Sequence, residues 1–159
     1  MDRIGAWLRG TDAQLIGLTL VSKALLLAWG LVIGSIVSSR PVDIGQLLAV
    51  WNRWDAHHYL DLATWGYMAI DPGVSPTYGQ TGDMDLMIVF YPLLPAAIAL
   101  VRVAMPDLVA PILVSTVGLA AAVLLLYRVV AAELGERLAR RAVVFLLIFP
   151  TAYFLHIGY

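Results

Sequence analysis

The chain has 159 residues, 61% hydrophobic and 13% charged, with a mean hydropathy of +0.84; soluble domains average about 45–50% apolar and about 25% charged residues, so a water-soluble globule is excluded. A formal net charge of -1 gives no basic footprint for nucleic acid, and no nucleic-acid partner is expected. With no cysteine, a disulfide framework, a thiol nucleophile and a thiolate metal site are excluded as well.

Leu15 to Val37 is a long apolar run of about 23 residues, against the about 20 that cross a bilayer as a helix. A cleavable signal would have an apolar core of only about 7–15 residues, so 15–37 reads as a retained span. Its one charge, Lys23, reads as a side chain reaching back to the headgroups, with a functional role as the alternative. Ser38-Ser39-Arg40-Pro41 then ends the helix, because proline lacks the amide donor and restricts its predecessor.

Residues 38–85 form a large loop, expected on the extracytoplasmic side. Ile44 to Thr64 has helical character, with Trp51, Trp54, Asp55, His58, Tyr59 and Leu62 recurring at three- and four-residue steps on one face. Asp71 to Asp85 reads as irregular loop, with Gly and Pro clustered from Pro72 to Gly82. The segment 86–105 is apolar but broken by Pro92 and Pro95 and closed by Arg102, and is expected to be re-entrant or a transmembrane helix. Residues 108–130 make a second span, 131–141 a charged cytoplasmic connector, and 142–159 a last, incomplete span with Pro150 inside it. Arg3 and Arg9 precede the first span, and Arg128, Arg137, Arg140 and Arg141 surround the connector. The positive-inside rule puts both groups in the cytoplasm, which requires an even number of crossings between them and favours a non-crossing 86–105. The expected fold class is all-α: polytopic transmembrane helices with a large first loop carrying juxtamembrane helices.

The stretch from Trp51 to Asp61 gathers aromatic rings, carboxylates and two imidazoles just after the first span. One reading is an interfacial amphipathic helix with its rings at headgroup depth. Another is a divalent-metal site, since Asp55, His58 and Asp61 stand three residues apart, although steps of three drift around a helix and no second cluster downstream completes the shell. No Gly-x-Ser-x-Gly elbow, phosphate-cradling Gly-rich loop or His-Glu-x-x-His helix is present.

Taken in order, Trp54-Asp55-Ala56-His57-His58-Tyr59, Gly66-Tyr67, Phe90-Tyr91-Pro92-Leu93-Leu94-Pro95, Leu126-Tyr127-Arg128 with Leu134-Gly135-Glu136-Arg137, Phe149-Pro150-Thr151-Ala152-Tyr153-Phe154 and Gly158-Tyr159 resemble the PIG-V family of mannosyltransferases. That family belongs to the GT-C class of polytopic glycosyltransferases and adds the second mannose to glycosylphosphatidylinositol precursors in eukaryotes; bacterial relatives exist. The resemblance implies a catalytic acidic residue in the first extracytoplasmic loop, a role that falls on Asp55 as general base, and a polyprenyl (dolichyl in eukaryotes) phosphate mannose donor. It implies inverting transfer to a lipid or protein acceptor, in a multi-pass protein of the bacterial cell membrane or of the endoplasmic reticulum membrane. No cofactor beyond the lipid-linked donor is implied, and a divalent metal is left open.

Around Asp55, the expected substrate-binding residues are His57, His58 and Tyr59 on sugar or acceptor hydroxyls, Trp54 stacked on a pyranose face, and Arg53 and Arg102 on the lipid phosphate. For both arginines, interfacial anchoring is the alternative. The Phe90–Pro95 stretch is expected to shape a lipid-facing wall. The family motif at Tyr159 ordinarily continues into an acidic Ser/Thr-Glu-Ser signature, so the chain is expected to be the N-terminal part of a longer reading frame. The rival from a different class is a non-catalytic membrane module, transporter-like or an assembly subunit, whose aromatic loop serves as an anchor. A transporter would place ionisable groups near the bilayer midplane, whereas all charges here except Lys23 lie in loops or near segment ends.

Overall fold

The computed structural model describes residues 2–52, 55–67 and 89–158, with side chains from Gly10 onward, and regular structure among the described residues is all helical. The helices are α1 (Asp2–Ser38), α2 (Ile44–Trp51), α3 (Ala56–Trp65), α4 (Leu93–Arg102), α5 (Ala110–Leu134), α6 (Glu136–Ile148) and α7 (Tyr153–His156). Two stretches within them are long and apolar enough to cross a membrane, Gly10–Ser38 and Ala110–Leu134. At 1.5 Å per residue they measure about 44 and about 38 Å, more than the about 30 Å of a hydrocarbon core. A third crossing is added if α6 and the Pro150–His156 segment, bent by 67°, count as one broken span. The sidedness of the Arg3 and Arg9 side chains and the irregular reading of Asp71–Asp85 lie outside the described residues.

The chain divides into two compact units, Met1–Asp43 with Thr116–His156, and Ile44–Ser115 with Ile157–Tyr159. In the first, Leu119, Val123 and Tyr127 of α5 and Ala139, Val143 and Leu147 of α6 recur every fourth residue and form one buried cluster with Leu15 of α1. Four-residue spacing puts each triplet on one helix face, so α5 and α6 fold back on each other about Gly135. Gly135 has φ 85°, a left-handed conformation that suits glycine and reverses the chain within one residue. The charged stretch 131–141, expected to be a connector, is therefore helix on both sides of a one-residue turn.

Two interactions orient α1 in this bundle. Arg128 Nη2 donates to Asp12 Oδ2 at 2.7 Å, late in α5, and the charge of Lys23 acts on His156, beyond the far end of α6. Moving along α1 from Asp12 to Lys23 thus leads away from the Gly135 turn, so α1 runs alongside α6 and antiparallel to α5. Little of the α1 span is buried inside the chain: Leu25, Trp29 and Ile36 are each more than 60% exposed. A surface this apolar is the mark of a lipid-facing helix.

The helix ends differ from the apolar runs in instructive ways. The first helix begins at Asp2 rather than at Leu15, because an apolar run marks the part that enters lipid, not the limit of the hydrogen-bonded backbone. Its C-terminus is a Schellman closure: Ser39 has φ 54°, the Arg40 amide donates to the Ser35 carbonyl and the Ser39 amide to Ile36. Ser35 Oγ also accepts from the Val42 amide, and Val42 packs on Gly34. In α4, Pro92 caps the helix and Pro95 occupies its first turn, where a missing amide breaks no intrahelical bond. The prolines expected to interrupt 86–105 start a helix instead. At ten residues α4 is about 15 Å long, half the thickness of a hydrocarbon core.

Candidate functional site

The face expected to run continuously from Trp51 to Leu62 is interrupted, because α2 ends at Trp51 and α3 starts at Ala56. Asn52 is the residue that makes this break tenable. Only 1% exposed, it donates from Nδ2 to the Leu48 carbonyl at 2.8 Å and to the Leu108 carbonyl at 2.9 Å. Its side chain therefore satisfies one carbonyl of the helix that stops and one from a segment 56 residues away, as a buried backbone requires. From the other side, the Gly158 amide donates to the Trp51 carbonyl at 3.0 Å. Gly158 lies so close to Asn52 Oδ1 and Pro111 that a Cβ there would overlap both. Sequence reasoning assigned no role to Asn52 or Gly158, and no short-range signal marks them, since their partners are distant in the chain.

Asp55 opens α3. Its backbone carbonyl accepts from the Tyr59 amide, while its half-buried carboxylate makes no capping hydrogen bond. Among the described residues it has no ion-pair partner. One turn along α3, His58 and Tyr59 stand at the three- and four-residue steps that share a face with Asp55. Phe90 closes over them, with ring centroids 5.1 Å from His58 and 5.0 Å, edge to face, from Tyr59. The Tyr67 hydroxyl donates to the Phe90 carbonyl and ties the end of α3 to this ring. His57 and His58 each have a buried Nδ1 with no hydrogen-bond partner among the described residues. Arg53 and Trp54 lie outside the described residues.

Beneath this surface Leu60, Ile98 and Ala110 form the core of the second unit, with Tyr59, Ala63, Leu94 and Val101 packed around it. Packing α3 on α4 positions the half-buried Asp55, His58 and Tyr59. Tyr91 and Leu93, both more than 80% exposed, turn outward from the same stretch whose Phe90 turns inward.

Arg102 is placed elsewhere. Its Nε donates to Asp107 Oδ1 at 2.9 Å and its Nη1 to the Thr64 hydroxyl. Thr64 is nine residues beyond Asp55, about 14 Å along the helix. Arg102 therefore clamps the far ends of α3 and α4, and the structure does not bring it to Asp55. Among the described residues no group of three His, Asp or Glu side chains is arranged to hold a metal ion, and Asp55, His58 and Asp61 do not converge as the spacing alone allowed. Asp61 is instead 1% exposed, on the buried side of α3.

Comparison with protein-family models, curated proteins and solved structures found no match. The chemistry open to this site follows from its residues. A carboxylate free of partners among the described residues can accept a proton, two imidazoles stand close after it on the same helix, and the Tyr59–Phe90 pair offers an apolar ring surface.

Proposed function

We propose that the chain is part of a membrane-embedded, PIG-V-like glycosyltransferase that moves a hexose, mannose by resemblance, from a polyprenyl-phosphate donor to a lipid or protein acceptor. Asp55 acts as general base. It takes the proton of the acceptor hydroxyl while the acceptor oxygen bonds to the anomeric carbon and the bond from that carbon to the donor phosphate oxygen breaks on the opposite face. The lipid phosphate leaves as an anion and needs no acid to protonate it, so one carboxylate suffices where a glycosidase needs two. His57, His58 and Tyr59 orient sugar or acceptor hydroxyls, and Arg53 and Trp54 serve the lipid phosphate and the sugar face.

The observation that carries this reading is the Asp55 carboxylate, uncapped and half-buried at the start of α3, three residues after the Asn52 that Leu108 and Gly158 hold in place. The antiparallel course of α1 and α5 supports it further, because two such spans return the chain between them to the side from which it left, as a catalytic loop on one membrane face requires. A ten-residue α4 agrees with a segment that dips into one leaflet. For Arg102 the clamp on Asp107 and Thr64 favours a structural part over phosphate binding.

One observation favours the second reading, a transport-like module. Lys23 and His156, 5% and 2% exposed, are buried within the helical bundle of the first unit, where ionisable groups mark proton or ion paths. The two readings part in one assay. Membranes containing the protein receive radiolabelled polyprenyl-phosphate-mannose, and wild type is compared with Asp55→Asn at equal abundance. Loss of a general base lowers transfer by about 10²- to 10⁴-fold. Equal transfer by both proteins sinks the role of Asp55, and no transfer by either favours the non-catalytic reading or another donor.

A further inference from the structure

On α6, Arg140 and Arg141 line one groove with Val144 and Phe145. The spacing 140/144 and 141/145 is the four-residue step that stacks side chains along one helix face. Phe145 is 66% and Val144 43% exposed, although the opposite face of the same helix, Ala139, Val143 and Leu147, is buried. Both arginines are exposed, and among the described residues neither has a carboxylate partner, even though Glu136 stands four residues before Arg140; Arg102 and Arg128 are the arginines that do. The Arg140 guanidinium lies over the Tyr127 ring, 6.0 Å from its centroid. That ring is 3% exposed, and its hydroxyl is buried without a hydrogen-bond partner among the described residues. Two exposed guanidinium groups without a carboxylate partner among the described residues thus stand at one end of the groove, and exposed hydrocarbon lies at the other.

We propose that this groove binds one anionic phospholipid, with its phosphate on Arg140 and Arg141 and an acyl chain along Val144 and Phe145. Guanidinium groups match phosphate oxygens in a forked geometry. The apolar end distinguishes a lipid from a soluble anion, since free phosphate would leave Phe145 uncovered. The order along α6 also fits a bilayer. The arginines lie within two turns of the Gly135 reversal that ends the apolar α5, and Val144 and Phe145 lie one turn further from it, toward the depth of the hydrocarbon. The site is separate from Asp55 and does not depend on the transferase reading.

Native mass spectrometry of the full chain in detergent tests this, with phosphatidylglycerol and phosphatidylcholine added in equal amounts. One phosphatidylglycerol is expected to be retained in clear preference to phosphatidylcholine. Replacing both arginines (Arg140→Gln with Arg141→Gln) weakens retention roughly 25-fold, the product of about fivefold for each charge near an anionic headgroup. Arg40→Gln removes an equal charge from an exposed position at the other end of α1 and leaves retention unchanged. Phe145→Ser lowers retention of the long-chain lipid, and millimolar inorganic phosphate fails to displace it. Equal retention of the two lipids, retention that survives the double substitution, or an equal loss on Arg40→Gln overturns the proposal. Complete displacement by inorganic phosphate overturns it in favour of a soluble-anion site.

Discussion

In the Met1–Asp43/Thr116–His156 unit, hydroxyl groups return to their own helix: Thr19 donates to the Leu15 carbonyl four residues back, and Ser22 to Thr19. In the Ile44–Ser115/Ile157–Tyr159 unit Thr64 and Ser115 do the same, but other polar groups reach across the chain, Asn52 to Leu108, Tyr67 to Phe90 and Arg102 to Thr64. The contrast follows from helix length. A helix of 25 or 37 residues satisfies nearly all of its own backbone and needs side chains only for packing, whereas helices of eight to ten residues leave a large share of their amides and carbonyls at ends. Irregular backbone near a membrane is tolerated only where protein or water meets those groups, and the side chains that meet them also set where Asp55 stands. The first unit is thus held largely by apolar fit, beside the Arg128–Asp12 pair, and the second by an apolar core together with hydrogen bonds between distant residues.

This comparison can be broken most forcefully at Leu25, near the middle of the Gly10–Ser38 span and 66% exposed. If its surroundings are lipid, Leu25→Arg costs about 2.5–3.5 kcal/mol of insertion free energy at a helix centre. A translocon-insertion assay should show a marked fall in the membrane-inserted fraction. A change within about 0.5 kcal/mol, as at a water-exposed site, would remove the lipid-facing assignment of α1.

In the second unit the sharpest changes are Asn52→Ala and Gly158→Ala. The first leaves the Leu108 carbonyl without its side-chain donor, at about 1–3 kcal/mol, and the second drives a methyl group into Asn52 and Pro111, at about 1–3 kcal/mol. Because the chain contains no cysteine, Asp55→Cys supplies a unique thiol. Its alkylation rate is expected to rise severalfold when either change is combined with it, and an unaltered rate would show that Asn52 and Gly158 do not hold the Asp55 turn.

The smallest effect belongs to Arg128→Gln. Its ion pair with Asp12 has side chains 53% and 27% exposed, and such pairs contribute about 0–1 kcal/mol. Thermal unfolding in detergent should move by only a degree or two. A larger loss would mean that this contact, rather than the aliphatic cluster, joins α1 to the hairpin.

Much of the first unit was legible from residue order. Leu15–Val37 and Leu108–Val130 announce their helices through apolar length alone, and the arginines around Glu133–Arg141 mark one end of the bundle. What that reading missed there is local: a charged stretch looks like a connector, yet Glu, Arg and Ala are good helix formers, and Gly135 alone makes the turn. In the second unit the residue types of the candidate site were legible but their arrangement was not. Periodicity could put Trp51 and Leu62 on one face only by assuming an unbroken helix, and the break at Asn52 depends on Leu108 and Gly158, 56 and 106 positions away. Arg102 illustrates the same point, since nothing near it in sequence shows that Thr64 will share its guanidinium with Asp107.

By itself, then, the sequence determined that the chain is helical, that it carries stretches long and apolar enough to cross a membrane, and which short stretch gathers acid, imidazole and aromatic groups. These properties depend on composition and on spacing within one helix, where cause and effect lie a few residues apart. Only the tertiary structure decided that α1 runs antiparallel to α5, that α2 and α3 are separate helices with Asp55 uncapped at their junction, and that Arg102 serves as a clamp. Each of these rests on contacts between residues far apart in the chain, whose pairing is chosen by the packing of whole helices and by the cost of leaving buried backbone groups without a partner.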